Sequence, residues 1–267
     1  MKTVTDFSVV SCQKLNDRIV LIKLTPADGK PMVEMRPGQF VEVRIDDAPA
    51  VFLRRPISIH YVDKANNALW LLVQVVGEST RRMVALTEGD RLNLVYPLGN
   101  GFSAPAAAAQ SYLLVGGGVG IAPLLQWGAE LQRGGHTVTF LLGGRKASDL
   151  VQLDEFRKYG TVYVTTEDGS TIDGIDCEKG FVTNHSLLQR TRFDRISVCG
   201  PKPMMMAVAR YAKQTGVDTS HYCEVSLENK MACGLGVCLC CVENTKAGHK
   251  CVCSEGPVFD VNDLNWE

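Results

Sequence analysis

The sequence predicts three parts. Residues 1–102 read as a closed antiparallel β-barrel, residues 103–217 as an α/β region built on a parallel sheet, and residues 218–267 as a small cysteine-rich domain. Three observations predict this. Short β-rich runs fill the first hundred residues. Strand and helix patterns alternate after the Ala-rich stretch "SAPAAAAQ". Seven of the ten cysteines fall between Cys223 and Cys253.

In the first part the runs are "RIVLIKLTP", "GQFVEVRI", "ISIHYVD", "ALWLLVQVVG" and "DRLNLVYPLG", each bounded by Gly, Pro, Asn or Asp. Many short strands with turn residues between them favour a closed barrel. A helix, "STRRMVAL", interrupts them. In the second part "SYLLVGGGVGIAPLLQWGAELQRGG" and "HTVTFLLGGR" read as strand, glycine turn, helix, turn and strand. "TVYVTT" and "RISVCG" are further strands, and "PKPMMMAVARYAKQTG" is a helix. Alternation of this kind places helices on both faces of a parallel sheet.

Composition narrows the function. Apolar residues make up 45% and charged residues 21% of the 267, as in ordinary globular proteins. A net charge of −1 argues against a broad basic face for nucleic acid. No apolar run reaches the roughly 18–20 residues of a membrane helix. The opening "MKTVTDFSVV" lacks the apolar core of a secretion signal, so a cytoplasmic location is expected, where thiols stay reduced. Clustered cysteines there point to metal or cluster ligation rather than to a disulfide framework.

Several motifs carry chemistry. The turn Gly116 to Pro123 follows an apolar strand and opens a helix, so its glycines let backbone approach a pyrophosphate beside free N–H groups. A bare strand-to-helix turn would use the same glycines. Cys199-Gly200-Pro201 also ends a strand and leads into a helix, and the two turns are expected to line one crevice at the C-terminal ends of the strands. In "LRRPISI", Pro56 pins the backbone while Arg55 and Ser58 offer a guanidinium and a hydroxyl suited to phosphate. Ser79 and Thr80 in "GESTRRM" stand where a helix begins, a second possible phosphate site.

Barrel with R-P-I-S, sheet with a glycine turn, then C-G-P: in that order these pieces resemble the ferredoxin–NADP reductase superfamily. The resemblance implies a barrel that binds FAD and a Rossmann-like domain that binds NAD(H) as substrate. It implies that Arg55, Pro56, Ile57 and Ser58 contact the flavin and its phosphates. Leu72, Val73 and Gln74 would run along the flavin nucleotide, and Ser79 and Thr80 would hold the pyrophosphate. The family often shows G-x-G-T there, whereas this chain has Gly77-Glu78-Ser79-Thr80. Gly117, Gly118 and Gly120, with Cys199, Gly200 and Pro201, match the nicotinamide side. Arg145, in "GGRKASDL", would meet a 2′-phosphate or cap a loop, so the choice between NAD and NADP stays open.

The tail narrows the resemblance. "MACGLGVCLCCVE" followed by "CSEGPVF" is similar to the electron-transfer subunits of NAD-dependent (class 1B) dihydroorotate dehydrogenases, over essentially the whole chain. That implies a [2Fe–2S] cluster in the C-terminal iron–sulfur domain and an FMN-containing catalytic subunit as partner, two copies of each forming a heterotetramer in pyrimidine biosynthesis. Cys233, Cys238 and Cys241 fit the C-x4-C-x2-C spacing of plant-type two-iron clusters. Gly234 and Gly236 let the loop wrap tightly and aim N–H groups at sulfur. The fourth ligand is Cys251 or Cys253; in the resembled family it directly precedes the acidic-Gly-Pro-Val-Phe run, which implies Cys253. Cys240 is expected to be a packed bystander and Cys223 structural. Electron transfer of this kind needs no general acid or base from the chain, so no catalytic residue is assigned, and Cys199 is the candidate for positioning nicotinamide. Two other readings carry the same motifs: a diaphorase subunit of a hydrogenase or ferredoxin-dependent transhydrogenase, and a zinc-stabilised interaction module. Zinc favours paired C-x2-C knuckles, of which only Cys238 to Cys241 is clear, with His249 as a possible stand-in.

Overall fold

A computed structural model describes residues 2–46, 50–215 and 219–266. The expected boundary between residues 217 and 218 lies outside the described residues. The chain divides into two compact units. One holds Met1–Gly101, Asn229–Glu243 and His249–Pro257; the other holds Phe102–Glu228, Asn244–Gly248 and Val258–Glu267. The tail is thus shared between the units, with most of the cysteine loop in the barrel's unit.

The first unit is a closed six-stranded antiparallel barrel. Its strands are β1 (Thr3–Lys14), β2 (Ile19–Pro26), β3 (Phe40–Val43), β4 (Arg55–Asp63), β5 (Ala68–Gln74) and β6 (Arg91–Leu98), in the order β1-β2-β5-β4-β3-β6. Period-two alternation decides which side chains fill it. Val41 and Val43 of β3 and Leu69, Leu71 and Val73 of β5 point into the core. The short helix α1 (Glu78–Met83) lies between β5 and β6. Strand β1 is the one barrel strand absent from the sequence reading. Phe7 and Val9 are buried, but Val4 and Val10 are 62% and 44% exposed, so its apolar pattern is weak. Its backbone decides the matter: β1 pairs with β2 on one side and β6 on the other, closing the barrel.

The second unit is a seven-stranded sheet. Its elements are β7 (Ser111–Gly117), α2 (Ala122–Arg133), β8 (Thr137–Gly144), α3 (Leu153–Arg157), β9 (Thr161–Thr166), β10 (Asp176–Lys179), α4 (Leu187–Arg190), β11 (Arg195–Cys199), α5 (Lys202–Gln214) and β12 (Cys223–Ser226). After a two-stranded hairpin, β13 (Val242–Thr245) and β14 (Gly248–Cys251), comes β15 (Val258–Asp260). The order is β10-β9-β8-β7-β11-β12-β15, parallel except that β15 joins β12 antiparallel. Strands β12 and β15 come from the tail. Val225, Val258 and Phe259 are buried there, and that apolar surface completes the sheet.

Helices α2 and α5 each carry proline in the first turn, where its missing N–H costs no helical bond. Trp127 on α2 donates from Nε1 to Ser197 Oγ on β11 at 3.0 Å, and Phe102 stacks on it at 5.4 Å. Phe140 of β8 is fully buried and meets Phe156 of α3 edge-on at 5.0 Å. Among the described residues no helix is long and apolar enough to cross a membrane.

Phe140→Ala removes a ring that is closed in on all sides. We expect a loss of about 3–5 kcal/mol, read as a lower unfolding midpoint by circular dichroism; a midpoint within 1 °C of wild type would contradict this packing.

Candidate functional site

In the barrel unit, β4 carries R-P-I-S. Its register with β3 sets Arg55 opposite Val43, Pro56 opposite Glu42, Ile57 opposite Val41 and Ser58 opposite Phe40. Ile57 packs against the core. The two arginines of the motif have separate environments. Arg54 is pinned by Asn93, donating from Nη1 to its backbone carbonyl at 2.9 Å and from Nη2 to its Oδ1 at 2.5 Å. Arg55 donates from Nε to Ser79 Oγ at 2.8 Å, which brings together two of the expected phosphate-binding groups. Thr80 Oγ1 accepts from the N–H of Val76 and Gly77 and donates to the Gly77 carbonyl, so this hydroxyl shapes the loop. Leu72 is buried and Val73 lies in the barrel core, so only their backbones are left to meet a ligand; Gln74 is half-buried.

In the sheet unit the two expected turns do meet. Strands β7 and β11 are neighbours, with Cys199 level with Gly116. Here the glycines answer close backbone approach. A Cβ on Gly120 would lie 2.5 Å from Gly200 Cα and 2.6 Å from the Cys199 carbonyl oxygen. Gly117 and Gly118 lead into this turn at the C-terminal end of β7, and Pro201 precedes α5. Cys199 is fully buried, and burial pushes its thiol well above its ordinary range against a weaker pull from Ser226. The thiol is neutral at neutral pH and sealed from solvent, which suits a supporting role beneath the turn and not nucleophilic attack.

The cysteine loop is built from backbone N–H groups aimed at sulfur. Leu235 N–H donates to Cys233 Sγ at 3.3 Å, Gly236 N–H to Cys253 Sγ at 3.1 Å and Cys253 N–H to Cys241 Sγ at 3.4 Å. Partial burial resists ionisation of Cys233. Hydrogen bonds from the N–H groups of Leu235 and Cys238, from the Cys238 side chain and from the Val237 N–H outweigh it and draw the thiol down to about 6. Burial and the neighbouring Cys241 push Cys253 up to about 12. Sulfurs gathered this way cannot all ionise alone, and a bound cation resolves the conflict by deprotonating them outright. The loop therefore fits an iron–sulfur centre.

Cys251 and Cys253 differ in polarity. Cys253 Sγ accepts from the Gly236 N–H. Cys251 Sγ donates to the Gly236 carbonyl at 3.7 Å, as a thiol does. Cys223, on β12, is buried and held neutral by burial and by Asp260 and Glu224, in line with a structural role. Cys240 departs from expectation. It is exposed and not packed, in a run, Val237 to Cys240, that is exposed throughout. His249 is exposed on β14.

Sequence reading missed Glu42. It is 1% exposed on β3, burial pushes its carboxyl up to about 7, and neither carboxyl oxygen has a hydrogen-bond partner among the described residues. A charged residue between two core valines in "FVEV" was the available clue.

Residues 228–265 match the iron–sulfur cluster binding domain of dihydroorotate dehydrogenase B, and residues 114–210 match the oxidoreductase NAD-binding domain. A Listeria monocytogenes serotype 4a protein named dihydroorotate dehydrogenase B (NAD(+)), electron transfer subunit, is 37% identical over 266 residues, covering 98% of each chain. Its namesake from Fusobacterium nucleatum is 37% identical over 238 residues, covering 86% of this chain and 87% of its own. Among solved structures, one of an NADH-dependent reduced ferredoxin–NADP oxidoreductase, studied for flavin-based electron bifurcation, superposes with a TM-score of 0.83. It is 30% identical and covers 97% of this chain and 90% of its own.

In protein stripped of metal, Cys233 is alkylated ahead of Cys253. Its lowered value places ionisation near pH 6, so alkylation by iodoacetamide rises between pH 5 and 7 and then levels off. Cys253 stays unreactive across that range. Peptide mapping of the label checks this, and equal labelling of both cysteines at pH 7 would contradict it.

Proposed function

The chain belongs to the family of electron transfer subunits of dihydroorotate dehydrogenase B, and from that premise we propose that it links a dihydroorotate-oxidising partner to NAD+. It carries FAD and a [2Fe–2S] cluster and uses NAD(H) as substrate. Electrons enter from the FMN of the partner's catalytic subunit, two copies of each subunit forming the working heterotetramer in the cytoplasm, in the pathway to pyrimidine nucleotides. By cofactor the chain divides into residues 1–102 for FAD, 103–217 for NAD and 218–267 for the cluster. The observation that carries the reading is the loop of cysteines with N–H groups aimed at their sulfurs.

When bound, flavin exchanges hydride with nicotinamide and single electrons with an iron–sulfur centre, which is why both groups are needed. The chain's residues hold these groups and shape their surroundings. Arg55 and Ser79, already joined, present a cation and a hydroxyl to the flavin phosphates, with Pro56, Ile57 and Ser58 lining the same strand. Thr80 fixes the loop beside them, and the backbone of Leu72 to Gln74 runs along the nucleotide. Gly117, Gly118 and Gly120 with Cys199, Gly200 and Pro201 form the nicotinamide crevice, which the buried Cys199 side chain supports from behind. Cys233, Cys238, Cys241 and Cys253 ligate the cluster; Cys253 takes a hydrogen bond from the Gly236 N–H while Cys251 turns to the Gly236 carbonyl, which supports leaving Cys251 out. N–H groups on the ligating sulfurs stabilise their charge and tune the potential.

A diaphorase role in a ferredoxin-linked complex is the second reading, favoured by the likeness to the ferredoxin–NADP oxidoreductase. Copurification separates the two, since only the first predicts a dihydroorotate-oxidising partner.

Anaerobic NADH added to the purified chain is expected to bleach flavin absorbance and produce the low-temperature EPR signal of a reduced [2Fe–2S] cluster. A colourless sample containing zinc would sink the proposal. Cys253→Ser is expected to leave flavin bleaching intact and to cut electron delivery to the partner at least a hundredfold; normal orotate reduction with NADH in that variant would remove Cys253 from the path. Arg55→Ala removes a charge-assisted hydrogen-bonding group worth about 1.5–3 kcal/mol. FAD affinity, read by equilibrium dialysis, should fall roughly tenfold to a hundredfold.

A further inference from the structure

Glu42 has no part in the chemistry described so far, and its surroundings are costly. Alternation along β3 sends Val41 and Val43 into the barrel and Glu42 to the outer face. That face is covered. Glu42 is 1% exposed, and its two carboxyl oxygens have no hydrogen-bond partner among the described residues. The covering chain is the cysteine loop itself. A Cβ on Gly234 would lie 2.8 Å from Glu42 Cγ, 3.1 Å from Leu98 Cδ1 and 3.2 Å from Glu42 Oε1. Gly234, with a φ of +65°, is the residue after Cys233.

The nearby cations are committed elsewhere. Arg54 donates to the backbone carbonyl of Glu42 at 3.3 Å and to Asn93, and Arg55 donates to Ser79. Arg54 and Arg55 attract the carboxylate without donating to it, and burial outweighs them; a buried carboxylate with no hydrogen bond is expensive to keep, and replacing such a group with a well-packed apolar residue is often neutral or stabilising. Its charge sits against the residue that follows Cys233, and a buried charge is screened less than one in water. The potential of an iron–sulfur centre depends on local charge, on hydrogen bonds to its sulfurs and on solvent exposure.

We propose that Glu42 sets the potential of the iron–sulfur centre: its buried carboxylate, pressed against Gly234 beside Cys233, makes that centre harder to reduce. This rests on the reading of Cys233, Cys238, Cys241 and Cys253 as ligands. Glu42 touches none of the reacting atoms and is a positioning residue for charge.

The test is an EPR-monitored redox titration of the intact holoprotein at pH 9, on the wild type, Glu42→Gln, Glu42→Leu and Glu42→Asp. Gln and Leu differ in shape and polarity but both remove the charge. Both are expected to raise the midpoint potential so that the reduced-to-oxidised ratio at a fixed potential grows about tenfold, which is ~59 mV for one electron. Asp keeps the charge and is expected to stay near the wild type. An unchanged midpoint in Gln and Leu, with the EPR line shape intact, would overturn the proposal. So would opposite shifts in those two variants, which would point to packing. A wild type with no cluster signal would instead overturn the cluster reading on which the proposal stands.

Discussion

Thiolates held close together in a protein interior repel one another, and the cysteine loop is organised around that repulsion. Backbone N–H groups approach Cys233, Cys241 and Cys253, so each sulfur meets at least one fixed dipole. The result is uneven: Cys233 is drawn toward the thiolate and Cys253 is held as the thiol. Only a multivalent cation satisfies the whole set. The loop keeps this shape because it is anchored within its own unit. Asn100 N–H donates to the Gly256 carbonyl, Asn100 Nδ2 donates to the carbonyls of Ser254 and Glu255, and Gly234 lies against Glu42 and Leu98 of the barrel. A barrel wall therefore supports the loop that carries the proposed cluster ligands.

The sheet unit solves a different problem, the close approach of a dinucleotide to backbone. Neighbouring parallel strands β7 and β11 end level with each other, and each is followed by a turn without side chains at the point of contact. The crevice needs no charged side chain to be tight. Its one reactive residue type, Cys199, is kept inert by burial. A wall of this kind holds a ring in place and leaves the chemistry to the cofactors.

Across both units the working groups are mostly backbone N–H groups, a few hydroxyls and one arginine. This suits electron transfer, where the protein sets distance, orientation and potential and has no bond of its own to break. Glu42 fits the same logic: a charge retained at a cost in stability where it acts on a redox centre.

Much of this was legible in the sequence. Five barrel strands, the strand–turn–helix pattern and the C-x4-C-x2-C spacing are local, and local periodicity and spacing report them directly. The order of R-P-I-S, glycine turn, C-G-P and cysteine tail carried the family resemblance, and the resemblance implied both cofactors. What local pattern could not report was decided by long-range packing. Strand β1 is a strand because two distant partners take up its backbone groups, although two of its three valines face solvent. The tail is shared between two units because Val225, Val258 and Phe259 complete the sheet while the sulfur loop stays with the barrel. The opposite polarities of Cys251 and Cys253, two residues apart, depend on which atom of Gly236 each sulfur reaches. Residue types and their spacing are written along the chain, whereas burial and hydrogen-bond direction arise only when segments far apart in sequence come within bonding distance.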